Sequence, residues 1–137
     1  MKCNRIIKEV HVHCSGTKEG REFNVNDIDR WHKERGWDGC GYHYVIKLDG
    51  EIEIGRDVNK IPASIQGHNR HAIAICYIGG LDADGNPKDT RTDKQKASMY
   101  ILLERLRNRY PDAKLYGHCD LANKSCPCFD VQKEYGW

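Results

Sequence analysis

No apolar run in the 137 residues approaches the length of a membrane-spanning helix, which excludes a helical membrane protein and sets the expectation of no membrane insertion. The opening Met1-Lys2-Cys3-Asn4-Arg5 leads into too few apolar residues for a secretory signal, so synthesis is expected in the cytoplasm. Like charges never run beyond a few residues: 22 Lys and Arg against 20 Asp and Glu give a formal net charge of +2, spread along the chain. That pattern offers neither a nucleic-acid channel nor a polybasic membrane tail, and Arg105, Arg107 and Arg109 read as a solvated helix surface. The seven cysteines are odd in number and none stands in a C-x-x-C pair, which argues against a disulfide framework and against a structural zinc ribbon. Most are expected as free thiols, with Cys76 in the core. Internal repeats and low-complexity segments are absent, and so is the P-C-x-x-C pair of a zinc deaminase.

What is present is enough apolar material for one core. With 39% hydrophobic and 31% charged residues, a single domain over 1–137 is expected, working as a monomer. Ile6 to His13 alternates with the period of a strand, Val10 and Val12 on one face and His11 and His13 on the other. After a loop with Gly16 and Gly20, Asn24 is a fitting N-cap for a helix from Val25 to Arg35, and Gly36 stops it. Val25, Ile28, Trp31 and His32 fall near one face of that helix. Tyr42 to Lys47, the turn Asp49-Gly50 and Glu51 to Gly55 read as a hairpin, and Ile73 to Ile78, nearly all apolar, as a central strand.

Thr92 with Gln95 makes a capping box for a long helix to about Tyr110, with Met99, Leu102, Leu103, Leu106 and Tyr110 inward. Lys114 to Gly117 gives one more strand, and Asp130 to Tyr135 a brief helix. Strands interleaved with helices predict an α/β fold with a central mixed β-sheet flanked by helices. Loops at one sheet edge would then bring His13, Tyr42 and the 118–128 loop together.

Two distant segments carry metal-binding chemistry: His11-Val12-His13, and His118-Cys119-Asp120-Leu121-Ala122-Asn123-Lys124-Ser125-Cys126-Pro127-Cys128. A catalytic zinc keeps three protein ligands and an open position, whereas a structural zinc is closed by four, commonly in tightly spaced pairs. The spacing here favours the open kind, with His13, His118 and Cys126 as the set. By residue type alone Cys14, Cys119 and Cys128 stand beside them as competitors for a soft metal.

Five segments in order narrow the choice: Val12-His13-Cys14-Ser15, Trp31-His32-Lys33-Glu34-Arg35-Gly36-Trp37, Gly41-Tyr42-His43-Tyr44, Gly55-Arg56-Asp57 and Lys124-Ser125-Cys126-Pro127. Over nearly its whole length the chain resembles the phage-lysozyme branch of the zinc-dependent N-acetylmuramoyl-L-alanine amidases, whose fold is shared with the peptidoglycan recognition proteins. The resemblance implies a zinc cleft at the sheet edge holding one zinc, with His13, His118 and Cys126 as ligands and Cys119 outside the set. It places the catalytic tyrosine at Tyr42 and the catalytic lysine at Lys124. The implied reaction is hydrolysis of the amide between N-acetylmuramic acid and L-alanine in peptidoglycan, by a phage or prophage endolysin that reaches the wall after release.

One departure is Ile65, where relatives often carry a histidine shortly before a Gly-x-Asn stretch. It leaves the zinc set intact and turns attention to His68 or Asn69 as substrate contacts in the groove. Three rivals remain at this level. A muropeptide-binding module of the same fold would lack the ligand triad, and an H-x-H metalloenzyme usually sits in a barrel far longer than 137 residues. A thiol scaffold without metal is the plainest.

Overall fold

Ala72–Tyr77 is buried at every position, and it forms the middle strand, β5, of a five-stranded sheet. It pairs in parallel with β1 (Glu9–Cys14) on one side and with β3 (Tyr44–Ile46) on the other. β1 pairs in parallel with β7 (Lys114–Gly117), and β3 closes an antiparallel hairpin with β4 (Ile52–Ile54), giving the order β4-β3-β5-β1-β7. The sheet is therefore mixed, as expected. The computed structural model describes residues 3–137, so Met1 and Lys2, part of the segment read as having no leader, lie outside the described residues.

Helices cover the sheet where α1 links β1 to β3 and α2 links β5 to β7, while the return from β4 to β5 is a loop. α1 (Val25–Glu34) begins at Asn24, whose side chain accepts from the Asn26 and Asp27 N–H groups while Asp27 reaches back. α2 (Asp93–Arg109) begins at Thr92 with the reciprocal Gln95 contact. Strand alternation then sorts the apolar side chains. Val10, Val12, Ile73, Ile75 and Tyr77 pack with Met99, Leu102, Leu103 and Leu106 of α2, while Val45 and Cys76 pack with Ile28 of α1. His13 pairs with Cys76 in register, so the histidine face of β1 belongs to the α1 side.

Some boundaries differ from the sequence expectation. β1 begins at Glu9 rather than Ile6, whose side chain is exposed. β3 begins at Tyr44 rather than Tyr42, although the preceding His43 N–H still bonds to the Ala74 carbonyl at 2.9 Å. Three short pieces were not expected: β2 (Thr17–Lys18) pairs with β6 (Gly80–Leu81), and α3 (His118–Leu121) follows β7 at once. Elements of two to four residues are too short to show a period, so tertiary contacts decide them. The brief last helix, α4, spans Val131–Tyr135. No helix among the described residues is long and apolar enough to cross a membrane.

Candidate metal centre

Strand register builds the centre. Val12 is paired with Gly117, so the residues that follow them, His13 still within β1 and His118 at the start of α3, stand side by side with ring centroids 4.8 Å apart. His13 is 1% exposed, and its Nδ1 lies 3.7 Å from Cys126 Sγ. The ligand atoms of His13, His118 and Cys126 all lie within 4.8 Å of one another. Ligands about 2.0–2.3 Å from a tetrahedral zinc stand roughly 3.3–3.8 Å apart, so the nitrogen-to-sulfur spacing suits such an ion.

The protonation states also suit it. Burial, and then the neighbouring His118, hold the His13 pKa well below the usual imidazole value. Burial lowers that of His118 as well, with the Lys124 cation adding to it. Both rings are therefore neutral at ordinary pH, the form that offers a lone pair to a metal.

Cys126 is held from several directions. The Cys14 N–H donates to its sulfur at 3.2 Å, the Cys119 N–H donates to its carbonyl at 2.8 Å, and the buried Tyr77 hydroxyl donates to the Pro127 carbonyl at 2.6 Å. Gly117 permits this approach, since a Cβ there would stand 2.9 Å from Pro127 Cδ and 3.1 Å from Val131 Cγ2. The Cys14 thiol belongs to the opposite face and packs in the α2-side core. Its hydrogen bond with Cys126, and then burial, push its pKa up, so it stays a thiol. Cys119 is exposed and outside the group of converging donors.

Tyr42 flanks the donors, its ring centroid 4.9 Å from that of His13 and 5.3 Å from that of His32. The tryptophan-flanked segment of α1 explains how it is held. His32 Nδ1 accepts the Gly41 N–H at 2.8 Å, with Trp37 packed on the His32 ring at 4.5 Å, and the Arg56 N–H donates to the Tyr42 carbonyl at 2.7 Å. Burial first, then the neighbouring thiols, raise the Tyr42 pKa well above the usual phenol value, so its hydroxyl remains a donor. Lys124 sits exposed on the loop between α3 and Cys126, close enough for its charge to be felt at His118.

The segment with the expected departure is organised differently from the sequence reading. Ile65 is a buried anchor, 2% exposed, and it is the preceding Ser64 whose hydroxyl reaches His13 Nε2. Asn69 Oδ1 accepts the N–H groups of Ser64 and Ile65 at 3.0 and 2.8 Å, closing the loop. His68 lies at the rim, its side chain 38% exposed and its Nδ1 3.7 Å from Glu9. Sequence reasoning passed over Ser64 and Glu9, and treated His11 only as half of a rival motif. The one available signal was strand alternation, which places His11 on the face of His13; their ring centroids are 6.4 Å apart.

The sequence profile of N-acetylmuramoyl-L-alanine amidases matches residues 4–129. The chain belongs to the N-acetylmuramoyl-L-alanine amidase family. This amidase is 42% identical over 122 residues to the endolysin of Enterobacteria phage K11, covering 89% of this chain and 81% of that one. Among solved structures it matches the N-acetylmuramoyl-L-alanine amidase LysC of Clostridium intestinale with TM-score 0.81 and 28% identity, over 96% of this chain and 84% of that one. A Drosophila PGRP-LB variant, solved in complex with tracheal cytotoxin, matches with TM-score 0.80 and 22% identity over 100% of this chain and 85% of that one, a likeness of fold. The resemblance to the phage branch of the N-acetylmuramoyl-L-alanine amidases read from the five motifs, and the mixed α/β sheet it implied, are borne out.

Proposed function

We propose that this amidase is an endolysin that hydrolyses the amide joining the lactyl group of N-acetylmuramic acid to L-alanine in peptidoglycan, at a single zinc held by His13, His118 and Cys126. The observation that carries the reading is the convergence of these donors within 4.8 Å, with the Tyr42 ring against His13. A zinc in such a site acts as a Lewis acid and brings the pKa of its water toward neutrality. The chain supplies the rest. Two neutral imidazoles and a sulfur receiving the Cys14 N–H make a donor set for one soft-to-borderline cation and leave one position open.

Tyr42 keeps its proton and so donates a hydrogen bond where negative charge develops on the attacked carbonyl oxygen. Lys124, exposed on the loop before Cys126, brings a cation to that oxygen without being a ligand. His68 and Asn69 form the proposed substrate-facing rim of the Ser64 loop. The whole donor set comes from one chain, as a monomeric enzyme requires. The substrate lies in the cell wall, which a chain made in the cytoplasm reaches after release.

A muropeptide-binding module of the same fold would need neither the three donors nor a protonated tyrosine beside them. Metal analysis of the purified protein, together with wall lysis before and after chelation, separates the two readings. Zinc-dependent lysis supports the enzyme, and wall binding without lysis at any metal loading supports the module.

A further inference from the structure

Ser64 Oγ lies between two imidazoles. It contacts His13 Nε2 on one side and His11 Nδ1, at 3.0 Å, on the other. His11 Nε2 then meets Glu9 Oε1 at 2.9 Å. The His11 side chain is fully buried and that of Glu9 is 26% exposed, so an unbroken line of hydrogen bonds runs from a carboxylate at the surface to the ring of a proposed metal ligand.

The donor directions follow from the Glu9 end. An ionised carboxylate only accepts, so His11 carries its proton on Nε2. A neutral imidazole protonated there has a bare Nδ1, which takes the Ser64 hydroxyl proton. Ser64 Oγ has then given its only proton and accepts from His13 Nε2–H. His13 is left with an unprotonated Nδ1, and that is the nitrogen 3.7 Å from Cys126 Sγ. Reversing any one bond would set two donors or two acceptors against each other further along the line.

The loop is built to hold the serine in place. The Asn69 side chain accepts two successive N–H groups at the loop start, the His68 N–H returns to the Ile65 carbonyl at 2.9 Å, and the Ile65 side chain is sunk into the core. Resting on the metal-centre reading above, we propose that Glu9, His11 and Ser64 are positioning residues that fix His13 in its Nε2–H form, with the Nδ1 lone pair aimed at the space shared with His118 and Cys126. Outer partners of this kind set both the tautomer and the orientation of a ligating histidine, and their loss typically costs about 10–100-fold in metal affinity.

The test uses two readouts on the intact chain: zinc affinity in competition with a chromophoric chelator, and the 15N shifts of the His13 ring in metal-free protein. The parent should show His13 protonated on Nε2. Ser64→Ala should weaken zinc binding by about 10–100-fold and give a mixture of His13 tautomers, while Ser64→Thr, which keeps the hydroxyl, should restore both readouts. Glu9→Gln changes a partly exposed residue, and its carboxamide can donate as well as accept. It should mix the tautomers in the same sense, and it serves as the test if Ser64→Ala does not fold. Parental zinc affinity and an unchanged His13 pattern in these variants would overturn the proposal, as would a parent His13 protonated on Nδ1. If the parent takes up no zinc, the metal-centre reading fails, and the His13 15N pattern still decides this one.

Discussion

The Tyr77 hydroxyl, at the end of the central strand, donates to the Pro127 carbonyl at 2.6 Å, which ties the most buried element of the sheet to the loop that carries Cys126. Tyr77→Phe removes the donor and leaves that carbonyl unpaired in a buried place, a loss of about 1–3 kcal/mol. Chemical denaturation should show a stability decrease of that size, and zinc affinity should fall with it because the Cys126 loop is less well held. An unchanged unfolding midpoint would mean that the loop is anchored elsewhere.

Cysteine substitutions should separate ligand from neighbour. Cys126→Ser should lose zinc and lysis together, since an un-ionised hydroxyl is a far poorer ligand than a thiolate. Cys119→Ser should keep both, its thiol being exposed and outside the cluster. Cys14→Ser should also keep zinc, because the backbone N–H that donates to Cys126 Sγ stays in place and a serine hydroxyl can still hydrogen-bond that sulfur. Equal zinc loss at positions 119 and 126 would show that the loop register is wrong.

Binding and chemistry should come apart at Tyr42 and Lys124. Neither is among the proposed ligands, so Tyr42→Phe and Lys124→Ala should retain zinc and wall binding. Removing one preorganised oxyanion donor typically costs about 10²–10³ in rate, and turnover should fall by that order in each. His13→Ala should instead lose the metal. Parental hydrolysis rates in both zinc-loaded variants would remove the roles proposed for them.

Acid should destabilise the fold through histidines away from the donor set. Burial lowers the His32 and His43 pKa values to about 4, and in each the Nδ1 accepts a backbone N–H, from Gly41 and Ala74 respectively. The unfolded chain protonates these rings near 6.5, above the folded value, so it binds more protons between the two. Stability is therefore full above about pH 6.5 and declines as pH falls toward 4, by about 3 kcal/mol per residue once protonation is complete. Urea denaturation in the presence of chelator, from pH 7.5 to 4, should show the decline, and His43→Asn should make it shallower. A flat profile would mean that these rings are not held neutral.

The two long helices were legible because their start signals are local: Asn24 and Thr92 each satisfy orphan N–H groups through residues three positions away. The central strand was legible from its apolar run, and the faces of β1 from alternation. The α3 turn was not, because four residues have no period and its start depends on Asp120 accepting the Gly117 N–H. For the candidate site, the resemblance named His13, His118, Cys126, Tyr42 and Lys124, of which the structure gathers His13, His118 and Cys126 and sets the Tyr42 ring against His13. Ser64 could not be located that way. Its part depends on a loop folding back across 51 positions of sequence to His13, which no local pattern encodes.

The central claim is that one zinc held by His13, His118 and Cys126 serves hydrolysis of an amide in the wall. The most direct measurement follows the groups released from purified peptidoglycan by zinc-loaded, chelated and zinc-restored protein. The account predicts new amino groups on L-alanine with about one zinc bound per chain, no release after chelation, and recovery when zinc is returned. Undiminished release by rigorously metal-free protein, or new reducing sugar ends in place of amines, would contradict it.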